Sequence, residues 1–386
     1  MVAKLILFLF LAFLPFGQII RIPVFLSGNN FYLNFSDALA LSALIASFFS
    51  RLKYPNFWKS VKDFLIVAGF SLVASLSFFT IGSVILGSFY LLRLISYFFL
   101  FLTLLNLLKK NLGFKDTVFK GLILSTSFVA VFGWLQYLIY PDLRSLLYFG
   151  WDEHLLRMVG GFLDPTFTGI LLVFGAVLSI FYYFKTKKTS VFLTILFLLV
   201  SLAFTFSRSS YLSFYVGLAG IFALTKKIRE LVFFGIFFGL IVFLLPAGEG
   251  EGVKLERTAS AFAKLRNYQD SLTLTKVSPI FGIGYNNTCL SRRIYLDEAD
   301  ADSHSCSGLD ASFLFLLVTT GILGIFSFVN LISTLVKNIG KDIFGRAFVV
   351  CGLALLSHSL FANSLFYSWI LGYMAILLAL AVKART

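Results

Sequence analysis

Charge is what this chain has least of. Only 13% of its 386 residues are charged, where a soluble domain carries about a quarter, and the shortage excludes an ordinary water-soluble fold. Histidine and cysteine are scarce as well, with three of each. His154, His304 and His358 are scattered, and none has a zinc-ligand spacing to cysteine or to another histidine, so no metal and no cofactor is expected. The Gly-Ile-Gly of residues 282–284 has no βαβ unit around it, which excludes a dinucleotide site. No segment reads as a separate soluble domain.

What is abundant is apolar sequence, 59% of the chain. Apolar runs recur at about 3–19, 32–50, 64–80, 86–108, 118–140, 166–184, 190–206, 210–225, 230–246, 311–336, 345–361 and 364–382. Each is near the ~20 residues that a bilayer core of ~30 Å requires. The expected fold is all-α: a polytopic membrane protein of about twelve transmembrane helices, one integral membrane domain over 1–386. The N-terminal stretch has one lysine, a long apolar core and no A-x-A-like cleavage site, so it reads as a retained first span. Basic residues gather in every second loop, as at Arg51/Lys53/Lys59/Lys62, Lys185/Lys187/Lys188 and Lys226/Lys227/Arg229. This positive-inside pattern places both termini in the cytoplasm, and it assigns the excess of positive charge to orientation in the bilayer and not to nucleic acid.

The run 191–225 would be ~52 Å long as one helix, too long for a single crossing. It reads as two spans meeting in a turn at Ser207–Ser210, with Arg208, the single charge of the run, at their outer end. Two extracytoplasmic segments stand out: a smaller one at 141–165 and a long one at 247–310, between spans nine and ten. Loops of that length are commonly functional. In the long one, Leu255, Ala259, Phe262 and Leu265 share a face with arginines and lysines around it, which suits an amphipathic helix on the membrane surface or, equally, an ordinary helix packed on the loop itself. The stretch "SPIFGIGYNN" after it has the glycines of a turn or a re-entrant element. Cys289 and Cys306 share this loop and are expected to pair in a disulfide, while Cys351 lies in a span.

Ionisable residues inside or at the edge of spans are functional candidates by default. Arg93, Arg157, Asp164, Arg208, Arg266, Asp310 and His358 all fall on the outer side by this topology. Several arginines converging on one leaflet point to a cavity for an anionic ligand, since the planar guanidinium matches phosphate. Plainer roles stand beside these: Asp164 before Pro165 has the pattern of a helix cap, and Arg208 could snorkel to the interface.

The motifs add a resemblance. "SRSSYL" (207–212), "RMVGGFLDPTFTGILL" (157–172), "RNYQDSLTLTKVSPIFGIGYNN" (266–287), "DASFLFLLVTTGILGIF" (310–326) and "HSLFANSLFYSW" (358–369) resemble, in order, the conserved elements of the O-antigen polymerase and O-antigen ligase superfamily. The resemblance implies a metal-independent membrane glycosyltransferase of lipopolysaccharide or exopolysaccharide biosynthesis, in the bacterial inner membrane. Such enzymes move a glycan from an undecaprenyl-diphosphate carrier to an acceptor sugar hydroxyl on the outer face, and some work with a chain-length regulator. Carried over by motif, Arg157, Arg208 and Arg266 would hold the lipid diphosphate, joined by Arg93. Tyr285, Asn286, Asp164 and His358 are further site candidates. Where ligases commonly have histidine, this chain has Asp310, which favours polymerase over ligase and leaves Asp310 and His304 as equal candidates for the general base. A flippase for a lipid-linked oligosaccharide would instead distribute charges through both leaflets, often with inverted repeats; neither is evident here.

Overall fold

A computed structural model describes residues 2–26, 29–149, 151–245, 251–255, 258–296 and 308–383. His304 and Cys306 lie outside the described residues. Helices dominate: α1 (Val2–Phe13), α2 (Phe35–Phe48), α3 (Trp58–Ala74), α4 (Ile81–Lys110), α5 (Phe114–Ile139), α6 (Pro165–Thr186), α7 (Thr189–Ala203), α8 (Arg208–Thr225), α9 (Ile228–Phe243), α10 (Ala259–Val277), α11 (Thr288–Tyr295), α12 (Ser312–Lys337), α13 (Ile343–His358) and α14 (Ser368–Ala381). Each apolar run of the sequence overlaps one of these helices, with α10 and α11 in the long loop. Five stretches, Trp58–Ser77, Gly87–Lys110, Phe114–Ile139, Pro165–Thr186 and Ser312–Lys337, are long and apolar enough to cross a membrane, and several shorter apolar helices accompany them. The chain is a multi-pass, mainly helical membrane protein.

One element departs from the all-α expectation. Strands β1 (Arg21–Leu26) and β2 (Asn29–Asn34) pair antiparallel, with Arg21 opposite Asn34 and Leu26 opposite Asn29. The second apolar run therefore becomes helical only at Phe35. The helix starts there because the Asp37 carboxylate accepts from the Asn34 backbone N–H at 3.3 Å, satisfying a donor that a helix start otherwise leaves free. The 191–225 run does divide into two helices, but the turn comes earlier than expected, at Phe204–Ser207, and Arg208 is the first residue of α8. Phe206 makes the reversal, in the left-handed region at φ +50°.

Helix α6 is the axis of the bundle. Its sequence from Thr168 to Phe181 is buried on every side, which is why it is apolar all round and not along one stripe. The Asp164 side chain caps its start, accepting from the Thr166 N–H at 2.5 Å, with Pro165 in the first turn. By contrast, α9 leaves Ile236, Leu240 and Phe243 exposed, a face that lipid can cover.

Helix α12 is broken in its middle. Gly321 has φ +64° and ψ −167°, so the Thr320–Gly321 region cannot continue the hydrogen-bond ladder. The glycine-rich stretch before α11 fills the gap. Ile283 N–H donates to the Val318 carbonyl at 2.9 Å and Gly284 N–H to that of Thr319 at 3.2 Å, while Ile322 N–H donates to Pro279 at 2.9 Å. The "SPIFGIG" segment is thus an irregular strap that satisfies the backbone groups freed by the break, the condition for non-helical backbone at such depth. Cys289, on α11, is disulfide-bonded, and Cys351 is free and buried in α13.

Candidate active site

A cavity of about 1420 Å³ opens between β1–β2, α4, the 151–167 segment, the start of α8, α10 and the loops before α12 and α14. Arg93, Arg157, Arg208 and Arg266 all line it, as do Asp164, Tyr285, Asn286 and Asp310. These come from segments far apart in sequence. Arg21, Lys264 and Arg292 line it too. The described wall carries seven cationic side chains against four carboxylates, Asp152, Asp164, Asp270 and Asp310. That balance favours an anion. Among the described residues no three His, Cys, Asp or Glu side chains gather as a metal-binding group.

Arg157 is buried against the turn that carries Arg208. Its Nε donates to the Thr205 carbonyl at 3.1 Å and its Nη2 to that of Phe206 at 3.3 Å. The next residue continues the attachment, with Met158 N–H donating to Phe204 at 2.9 Å. Arg208 is more exposed and reaches the long loop, its Nη1 donating to the Leu255 carbonyl at 3.2 Å. The serines around it face inward. Ser207 and Ser210 share a hydrogen bond at 2.9 Å, and His358 Nε2 lies 3.2 Å from Ser210 Oγ and 3.3 Å from Ser209 Oγ. The other ring nitrogen of His358 meets Ser364 Oγ at 2.6 Å. His358 is fully buried behind the cavity wall, where it ties α13 to the start of α8.

Arg93 enters from α4. Its Nη2 pairs with Asp37 Oδ2 at 3.0 Å, its guanidinium stands 5.1 Å from the Tyr90 ring, and Tyr97 Oη donates to Asp37 Oδ1 at 2.9 Å. Asp37 is a determinant that the sequence reading missed. A lone carboxylate inside an apolar run carries the same signal as Arg93 and could have been found by it. Arg21 was missed for the opposite reason, since a loop arginine looks like any other; it stands 4.4 Å from the Trp151 ring and 5.0 Å from that of Tyr32. On the facing wall, Lys264 and Tyr268 of α10 donate to the Phe361 and Leu360 carbonyls, and Arg292 faces Asp270 at 3.7 Å. Phe262 and Leu265 of α10 remain exposed.

Asp310 lies two residues before α12, whose cap position is Ala311, so its carboxylate does not cap the helix. Its backbone N–H donates to Asn267 Oδ1 at 3.0 Å. Burial raises its carboxyl above the usual range, opposed by the charges of Lys264 and Arg292.

No curated protein matches the chain. Residues 193–329, which run from α7 into α12 and carry Arg208, Arg266 and Asp310, match the family model described as O-antigen ligase, and this match supports the O-antigen polymerase and ligase superfamily for the chain.

Proposed function

We propose that this membrane enzyme transfers a glycan from an undecaprenyl-diphosphate carrier to an acceptor sugar hydroxyl on the outer face of the bacterial inner membrane, as a polymerase of O-antigen or exopolysaccharide. The observation that carries the reading is the meeting of Arg93, Arg157, Arg208 and Arg266 in one cavity. When the bond from the anomeric carbon to the diphosphate breaks, negative charge grows on the leaving oxygen. Guanidiniums fixed beforehand stabilise that charge without reorganising. The polar part of the wall, Gln18, Asn34, Asn267 and Asn363 among others, suits sugar hydroxyls. The ligase reading shares every one of these residues and is favoured by the description of the matching family; it differs in the acceptor. Both termini in the cytoplasm and twelve crossings complete the reading.

The test is Arg208→Ala in a polymer-deficient host, at matched membrane levels. Transfer should fall about 10²-fold, the cost of removing one stabilising donor, and polymer on gels should shorten or vanish. Wild-type chain length would sink the proposal. Long carrier-linked glycan accumulating in a null strain would assign the ligase reaction instead.

A further inference from the structure

The four arginines of the proposed diphosphate site leave one guanidinium of the cavity wall without a task. Arg21 stands on β1, and alternate residues of a strand share a face. It is paired with Asn34 across the hairpin, and Tyr32, two residues from Asn34 on β2, is its diagonal neighbour on the same face. All three line the cavity, so one face of the hairpin forms part of its wall.

Arg21 is partly buried, and among the described residues no carboxylate pairs with it. What stands against it is aromatic, the Trp151 ring at 4.4 Å and the Tyr32 ring at 5.0 Å. Such contacts hold a guanidinium in place and consume none of its five N–H donors. Burial disfavours its charge and lowers its pKa, with only the Tyr32 and Tyr367 phenols acting the other way. An anion carried by a ligand would supply the missing counter-charge.

The polar groups beside it are uncharged. Gln18 Nε2 donates to Tyr367 Oη at 2.9 Å, and Asn34 Nδ2 to Ser368 Oγ at 3.4 Å; all four residues line the cavity. The contrast is with Arg157, which is bound to the Thr205 and Phe206 carbonyls just before Arg208. Two cations on one turn suit a diphosphate. A lone planar fork among amides and hydroxyls suits a singly charged, two-oxygen anion that brings hydroxyls of its own.

We propose that the Arg21 face of the β1–β2 hairpin is a glycan subsite that takes a sugar bearing a carboxylate, of the hexuronic acid class. The carboxylate accepts from the guanidinium fork, and Gln18, Asn34 and Ser368 face the sugar hydroxyls. The inference rests on the transferase reading and names the glycan that the enzyme selects.

The experiment uses the purified full-length chain in zwitterionic nanodiscs and two probes, a galacturonic acid tetrasaccharide and its carboxyl-reduced galactose counterpart. Binding is read by ligand-detected NMR and tryptophan fluorescence. The acidic probe should bind wild type about tenfold or more tightly than the neutral one, the worth of a hydrogen bond to a charged group. Arg21→Gln should erase that preference and leave the neutral probe within about twofold, while Arg21→Lys should keep part of it. Affinity for undecaprenyl diphosphate should hold in Arg21→Gln and fall in Arg208→Ala, with folding checked by size-exclusion chromatography. No acid preference in wild type, or an undiminished one in Arg21→Gln, would overturn the proposal. So would a loss of diphosphate affinity in Arg21→Gln equal to that in Arg208→Ala, which would make Arg21 one more diphosphate ligand. Absence of undecaprenyl diphosphate binding in wild type would sink the transferase reading separately, whatever the acid preference.

Discussion

Gly321→Ala is expected to abolish the folded protein. A Cβ at this position would stand 2.2 Å from the Ile280 carbonyl oxygen and 2.7 Å from the Gly282 backbone nitrogen. Both are backbone atoms of the strap, so no side chain can swing aside. The φ of +64° adds strain for any L-residue. The strap cannot retreat without giving up its bonds to Val318, Thr319 and Ile322, which would strand several buried backbone groups at once. The combined cost is about 4 kcal/mol or more, comparable with the whole stability of many domains. Fluorescence-detected size-exclusion chromatography should show aggregate or no protein. A monodisperse peak with wild-type melting would mean that the strap does not close on α12 as described. Gly282→Ala should act alike, since its Cβ would meet the Thr319–Thr320 peptide at 2.4 Å.

Asp37→Ala should be the most damaging change to a charged residue near the cavity. Asp37 is 3% exposed, and its carboxylate takes Arg93 at 3.0 Å, Tyr97 at 2.9 Å and the Asn34 N–H at 3.3 Å. Removing it leaves the Arg93 guanidinium, a quarter exposed at the cavity wall, without its counter-charge, and the cost approaches the ~3–5 kcal/mol of breaking a buried pair from one side. It also unties the end of β2 from α2. Midpoint temperature should drop sharply in detergent, and Arg93→Met in the same background should recover part of the loss, because the stranded charge is then gone. A single Asp37→Ala variant as heat-stable as wild type would show that water reaches Arg93 freely.

Much of this was legible in the sequence, for physical reasons that particular residues make plain. A bilayer demands long apolar segments, so the apolar runs located α1 to α9 and α12 to α14, while α10 was legible only by its amphipathic pattern and α11 was not foreseen. Arg93 and Arg208 were conspicuous because charge is costly where they sit, and the cavity does gather them. Other features were hidden. The β1–β2 pair was overlooked although Ser-Gly-Asn-Asn at 27–30 is a turn signal between two strand-like stretches, because its second half borders the apolar run from 32 that reads as a helix. The break in α12 rests on one glycine whose conformation is imposed by a partner forty residues away. Lys264 and Arg292 were indistinguishable from ordinary loop cations.

The attachment of Arg157 to the Thr205 and Phe206 carbonyls places two guanidiniums on one backbone reversal. An arginine loses much conformational freedom when it is held still, on the order of 2 kcal/mol. For Arg157 that loss occurs during folding. On the proposed reading, an incoming diphosphate would meet a charge that is already stationary, on the same backbone reversal as Arg208, and the chain would behave there as a chelating ligand does toward a metal: the first contact would bring the second with little further ordering.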